Sequence, residues 1–223
     1  MALDISHKWH FTLDLSEAAE GPRDLALVAA HSTGDDSTAR EQSLQLAMVT
    51  AGANGPLPTL QFAPRRAPRA AGWLLSYAHS GEWLLAAAMA IPSGTSGLSR
   101  AAGTAPQAAL GIDIERLRSR NHSRLARFLG WRGDSLNLGH FYRRWTLAEA
   151  LLKALGGAHA KATFNALDSA LQTKLEVRSH RQAVVGDWRY HVVWPQFDGA
   201  VVGCWLVAEP VARLLPGQQH GPD

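Results

Sequence analysis

Cysteine is almost absent from this chain. Its single copy, Cys204, can close no intrachain disulfide, so the fold must stand on packing alone, and a reducing compartment is expected. Long apolar runs are missing too. No stretch reaches the roughly 18 consecutive apolar residues of a spanning helix, so no membrane span is expected. The opening residues MALDISHKWHF carry Asp4 and no apolar run. They do not read as a secretory signal, and a cytoplasmic location follows as the expectation. Lysine is scarce, and arginine supplies most of the 22 basic residues. Arginine binds phosphate bidentately and keeps its charge when partly desolvated. With a net charge of +3 and a pI near 9.3, an anionic partner is one reading: a nucleotide, an acidic protein or a nucleic acid. A plain solubility charge is the other.

What is present is ordinary globular material. Of 223 residues 46% are hydrophobic and 18% charged, enough for a core in one large domain or two halves. Residues 15–36 read as polar loop with a short apolar segment at Leu25 to Ala30. A helix is expected over Thr38 to Thr50, with Leu44, Leu46, Ala47 and Val49 as its apolar set, and Gly and Pro in 51–58 stop it. The segment 63–72 is a loop carrying Arg65, Arg66 and Arg69. Trp73 to Tyr77 reads as a strand, His79-Ser80-Gly81-Glu82 as a turn, and Trp83 to Ile91 as apolar structure of either kind. The Gly, Ser, Pro and Ala-rich segment 92–109 reads as a connection between halves.

Leu110 to Glu115 reads as a strand. His140 to Leu155 gives the clearest helical pattern, with Phe141, Trp145, Leu152 and Leu155 on one face and Gly156-Gly157 as its stop. The remainder reads as β-rich. Strands are expected at Leu171 to Val177, Trp188 to Trp194 and Ala200 to Val207, with Pro195 to Gly199 as a hairpin loop. The tail from Pro216 reads as disordered. This order of elements predicts an α+β fold.

Three clusters carry chemistry. In Gly111-Ile112-Asp113-Ile114-Glu115, strand alternation turns Asp113 and Glu115 to one side and Ile112 and Ile114 to the core. Two adjacent carboxylates repel unless a cation sits between them, and oxygen donors suit Mg²⁺. A solvated acidic strand end, eased by Arg116 and Arg118, reads as well from these residues alone. In Trp145 to Lys153, Glu149 and Lys153 are four apart and share a helix face, as a surface ion pair would, although the flanks are apolar. In SYAHSGEW (76–83), a turn histidine beside Arg65, Arg66 and Arg69 could read a phosphate, or be a surface histidine and nothing more.

Taken in order, LGIDIE (110–115) followed by FYRRWTLAEALLKALGG (141–157) resembles the Sfp-type 4'-phosphopantetheinyl transferases. That family carries G-(I/V)-D-(I/V)-E, then W-(S/T)-x-K-E-(A/S)-x-x-K, with a serine–histidine turn upstream to which SYAHSGEW is similar. The likeness covers 73–157 best and is weak before residue 50. It implies two similar α+β halves about a pseudo-twofold: residues 1–105 on the side of the coenzyme A 3'-phosphate, 106–215 holding the metal and pyrophosphate, and 216–223 as tail. It implies Mg²⁺ on Asp113, Glu115 and Glu149, a phosphate contact from Lys153, and a 3'-phosphate contact from His79. Glu149 and Lys153 would be the catalytic pair, coenzyme A and an acyl or peptidyl carrier protein the partners, and the chain a monomer.

Three positions depart from the family. Its lysine before the helix glutamate is Ala148 here, its upstream G-K-P is Gly55-Pro56 after Asn54, and Ala78 replaces the serine before the histidine. Arg144, one turn before Ala148, is a candidate replacement, as are Arg65, Arg66 and Arg69 for the upstream lysine. The alternative expectation is a catalytically impaired homologue that binds coenzyme A or a carrier protein. A nucleic-acid binder is the weaker third: no such motif is present and the aromatics do not interleave with the basic residues.

Overall fold

The computed structural model describes residues 4–13, 23–32, 36–63, 67–91, 108–118, 122–129, 131, 138–172, 181–195, 197 and 201–211. Among them are two antiparallel sheets and four helices, an α+β fold. The first sheet holds β1 (Asp4–Leu13), β2 (Arg23–His31), β3 (Arg69–Ala70), β4 (Trp73–Ser80) and β5 (Trp83–Ala90), in the order β1-β2-β5-β4-β3. Helix α1 (Asp36–Thr50) joins β2 to this sheet's second part. The second sheet holds β6 (Ala109–Arg116), β7 (Arg181–Val185), β8 (Trp188–Val193) and β9 (Val201–Pro210), in the order β6-β9-β8-β7. Between β6 and β7 lie α2 (His122–Phe128), α3 (Leu138–Leu155) and α4 (Gly157–Gln172). No helix among the described residues is long and apolar enough to cross a membrane.

Alternation along the strands explains the layering. On β2 and β5, Leu25, Leu27, Leu85, Ala87 and Met89 turn one way; on β6, β8 and β9, Ile112, Ile114, Val193, Trp205 and Val207 turn to meet them. The two sheets therefore share one core face to face. The outer face of the first sheet is covered by α1, where Leu44, Ala47 and Met48 pack on Val28, Leu75, Ala86 and Ala88. The outer face of the second is covered by α3 and α4, where Phe141, Leu147, Ala150, Leu151 and Leu167 pack on Cys204, Leu206 and Ala208.

Strands buried on both faces lose their polar alternation, which accounts for two differences from expectation. Residues 23–31, read as loop around a short apolar segment, form central strand β2. Trp83 to Ile91, open between strand and helix, forms strand β5 as far as Ala90. Helix faces also differ. Met48 rather than Val49 completes the buried side of α1, and Val49 is 52% exposed. On α3, Leu152 is 44% exposed, while Tyr142 and Thr146 go inside. Both bring polar atoms that find partners: the Tyr142 hydroxyl bonds the backbone N–H and carbonyl of Arg118, each at 3.3 Å, and Thr146 donates back to Tyr142 O at 2.9 Å.

The expected strand at Leu171 to Val177 is corrected at its start. Leu171 lies on α4, whose polar exposed side hid its apolar stripe, and 173–177 lie outside the described residues. Helix α2 and strand β7 were not anticipated; both are short. The connecting segment ends one residue earlier than expected, since Ala109 opens β6, and its residues 92–107 lie outside the described set, as does the tail from Pro216. The loop after β8 is not wholly a surface feature. Pro195 is buried, and Phe197 packs edge-on against Trp83 with ring centroids 5.6 Å apart.

One glycine sets the spacing between layers. A Cβ placed on Gly111 of β6 would lie 2.0 Å from the Ala150 carbonyl oxygen and 2.9 Å from the Ala154 nitrogen, both α3 backbone. Backbone on both sides cannot rotate away. Gly111→Ala is therefore expected to cost about 3 kcal/mol or more in denaturant unfolding, the upper range for overpacking. Gly157→Ala, whose Cβ would meet nothing nearer than 3.8 Å, should stay within about 0.5 kcal/mol of wild type.

Candidate functional site

On β6, Leu110, Ile112 and Ile114 enter the core between the sheets, so Gly111, Asp113 and Glu115 turn toward α3. With no side chain at Gly111, α3 lies directly on the strand and covers Asp113, which is 7% exposed. Lys153, in the last turn of α3, spans the contact. Its Nζ donates to Asp113 Oδ1 at 2.8 Å and to the Ile112 carbonyl at 2.9 Å. Asp113 Oδ2 is buried and has no hydrogen-bond partner.

Burial is the largest influence on Asp113 and lifts its pKa from 3.8 to about 6. The charge and hydrogen bond of Lys153 oppose that rise; the charges of Glu115 and Glu149 add to it. The strand and the helix thus bring Asp113, Glu115, Glu149 and Lys153 into one electrostatic neighbourhood. Cys204 faces Asp113 across the β6–β9 ladder. Burial pushes its thiol well above the ordinary range, and the charge of Asp113 adds to the effect.

Among the described residues, no group of three or more His, Cys, Asp or Glu side chains is placed to hold a metal ion. A Mg²⁺ ion does not require one. It is held through one or two carboxylates, with waters and substrate phosphates completing an octahedron. The buried, unpartnered Oδ2 of Asp113 and the oxygen-only donor set fit such an ion.

Other candidates fall elsewhere. His79 lies at the exposed end of β4 and not in the turn, which is the two-residue hairpin Gly81-Glu82 with Gly81 at φ 64°. Alternation sends His79 to the face of Tyr77, away from the second sheet. The reading that it stands beside the arginines is corrected for Arg69. That residue pairs with Leu74 in the β3–β4 register, five positions from His79 and roughly 17 Å along the strand. Arg65 and Arg66 lie outside the described residues.

Arg144 does not join the cluster either. It is nine residues before Lys153, about 180° round the helix. Its Nη2 meets Asp168 Oδ2 of α4 at 2.8 Å, and its guanidinium lies over the rings of Trp131 and Phe164 at 4.7 and 5.7 Å. Two of the cations of α3 thus point to opposite sides, Lys153 toward β6 and Arg144 toward α4, while Arg143 is exposed.

Three groups escaped the sequence reading. Ser76 and Ser80 bond to β6; their signal was present, since serines four apart on a strand share a face. Asp168 lay in a helix that was not expected. A separate polar cluster lies on β8 and β9, where buried His191 Nε2 lies 2.9 Å from buried Glu209 Oε1, with the partly exposed Arg189 3.6 Å from the same oxygen. No protein-family model matches the chain, and no curated protein sequence does.

Two measurements check this geometry. In metal-free protein, the raised Asp113 pKa stabilises the fold fully below 3.8, and that contribution is lost as pH rises through about 6. Asp113→Asn removes the dependence. Its unfolding free energy relative to wild type should therefore rise by about 3 kcal/mol across that window. Asp168→Ala leaves the Arg144 charge buried and unbalanced, and should destabilise by about 3 kcal/mol or more in urea unfolding.

Proposed function

We infer that the chain is a magnesium-dependent 4'-phosphopantetheinyl transferase of the Sfp type, acting on an acyl or peptidyl carrier protein in the cytoplasm. The observation that carries the reading is the Lys153–Asp113 contact at 2.8 Å, with Glu115 and Glu149 acting on the same carboxylate. The reading is supported by motif residues of β6 and α3 acting on one carboxylate. In this reading residues 1–105 and 106–215 are two α+β halves about a pseudo-twofold, with coenzyme A in the cleft between them.

Asp113, Glu115 and Glu149 would hold Mg²⁺. The ion supplies charge neutralisation at the pyrophosphate of coenzyme A. Lys153 is 30% exposed, close enough to solvent to turn its ammonium toward that phosphate. The carrier serine oxygen attacks the pantetheine-side phosphorus and forms the new P–O bond. The bond to the bridging oxygen breaks, and adenosine 3',5'-bisphosphate leaves with the electron pair. Glu149, half-buried on the face of α3 that carries Lys153, accepts the serine proton. The family motif assigns the 3'-phosphate to His79, although its side chain leaves β4 on the face away from the second sheet. No covalent enzyme intermediate is needed; positioning and electrostatics suffice.

A second reading is favoured by two observations. Ala148 removes the family lysine, and Arg144, its candidate replacement, is paired with Asp168. A chain so reduced in cations could bind coenzyme A or a carrier protein and transfer slowly or not at all.

Mass spectrometry of an apo carrier protein incubated with the chain, coenzyme A and Mg²⁺ separates the two. Transfer shows as a gain of one phosphopantetheine group. Asp113→Ala should slow it by about a hundredfold or more, since a metal supplies several kcal/mol of the stabilisation. His79→Ala should raise KM for coenzyme A far more than for its 3'-dephospho form. An unmodified carrier, with coenzyme A still bound by the chain, supports the impaired homologue.

A further inference from the structure

The acidic strand is held at two points by hydroxyls from the other sheet. β6 is an edge strand, so its outward backbone N–H groups must find partners outside its own sheet. Ser76 and Ser80 lie four apart on β4 and both face the second sheet. The N–H of Ile112 donates to Ser76 Oγ at 3.1 Å, and the N–H of Arg116 donates to Ser80 Oγ at 3.1 Å.

The two contacts differ in what the hydroxyl does next. Ser80 Oγ also donates to Glu115 Oε2 at 3.2 Å. Because the Arg116 N–H occupies its acceptor side, the hydroxyl is left with its proton turned to the carboxylate. Glu115 is half-buried at the end of β6, with three side-chain torsions to restrain, and the Ser80 bond fixes one of its oxygens. Ser76 lies deep in the core and touches no carboxylate in this way.

We propose that Ser80 is a positioning residue that orients Glu115 toward a divalent cation, so that the site is assembled by both sheets. The proposal rests on the reading of Glu115 as a metal ligand. A carboxylate held by an outer hydrogen bond arrives already oriented, and groups in this position commonly change metal affinity ten- to a hundredfold. Threonine can supply the same hydroxyl and alanine cannot. The serine beside the histidine thus belongs to the metal site, and the histidine faces the other way.

The test is Mn²⁺ binding to the full chain without coenzyme A, followed by electron paramagnetic resonance of the free ion, with thermal unfolding measured on each variant. Ser80→Ala is expected to weaken Mn²⁺ affinity about tenfold, and Ser80→Thr to retain most of it. Ser76→Ala should bind as wild type does while losing stability, since it removes the equivalent backbone contact only. If Ser80→Ala binds as wild type while Glu115→Gln is weakened, the role of Ser80 is overturned and the metal reading stands. If Ser80→Ala and Ser76→Ala are weakened alike, the effect is structural and the proposal fails. If wild-type protein binds no Mn²⁺, the metal reading fails and the proposal with it.

Discussion

The close approach of α3 to β6 is the constraint on which the acidic cluster depends. It is possible because Gly111 presents only hydrogen to the backbone of Ala150 and Ala154. With any larger residue the helix would stand off, Asp113 would meet solvent, and Lys153 would no longer reach both its carboxylate and the Ile112 carbonyl. One missing side chain therefore sets the burial of the carboxylate, and burial sets its chemistry. A solvated Asp113 would be an ordinary surface acid. Under α3 it is a group poised to gain from a cation, because its second oxygen has no protein partner.

The helix resolves its own charges by direction. Lys153 points to the strand and Arg144 to α4, where a carboxylate and two aromatic rings surround the guanidinium. The two cations suit these places. A planar guanidinium stacks on Trp131 and Phe164, and a compact ammonium on a long stem stays partly solvated. Breaking either pair would strand a charge. The Arg144 pair is the more enclosed and fastens α4 to α3, while the more open Lys153 pair is the one available to a substrate.

The face-to-face sheets give the molecule a second kind of connection. Strands from before and after the central segment share the core around Ile112, Trp205, Leu27 and Leu85. At the edge of that core the contacts turn polar, and Ser76 and Ser80 take the backbone N–H groups that β6 cannot pair within its sheet. The same need that closes an exposed strand edge brings a hydroxyl to Glu115.

Much of this was legible in the residues themselves. Period-two alternation in GIDIE placed Asp113 and Glu115 together and Ile112 and Ile114 in the core. Four-residue spacing placed Glu149 and Lys153 on one face of α3. Both follow from local backbone geometry, which the chain carries wherever it goes. What the sequence could not decide was how elements meet. β2 was invisible as a strand because burial on both faces erases alternation. Leu152 was assigned inward and lies outward because the neighbouring layer, not the helical period, chooses which face is buried. Arg144 was a candidate for the phosphate until α4 placed Asp168 opposite it. His79 and Arg69, close in sequence to one motif, stand at opposite ends of β4 because strand register separates them. The residues and their spacing determined which groups are adjacent along an element; only tertiary packing decided which of them face each other, since that depends on contacts between segments far apart in the chain.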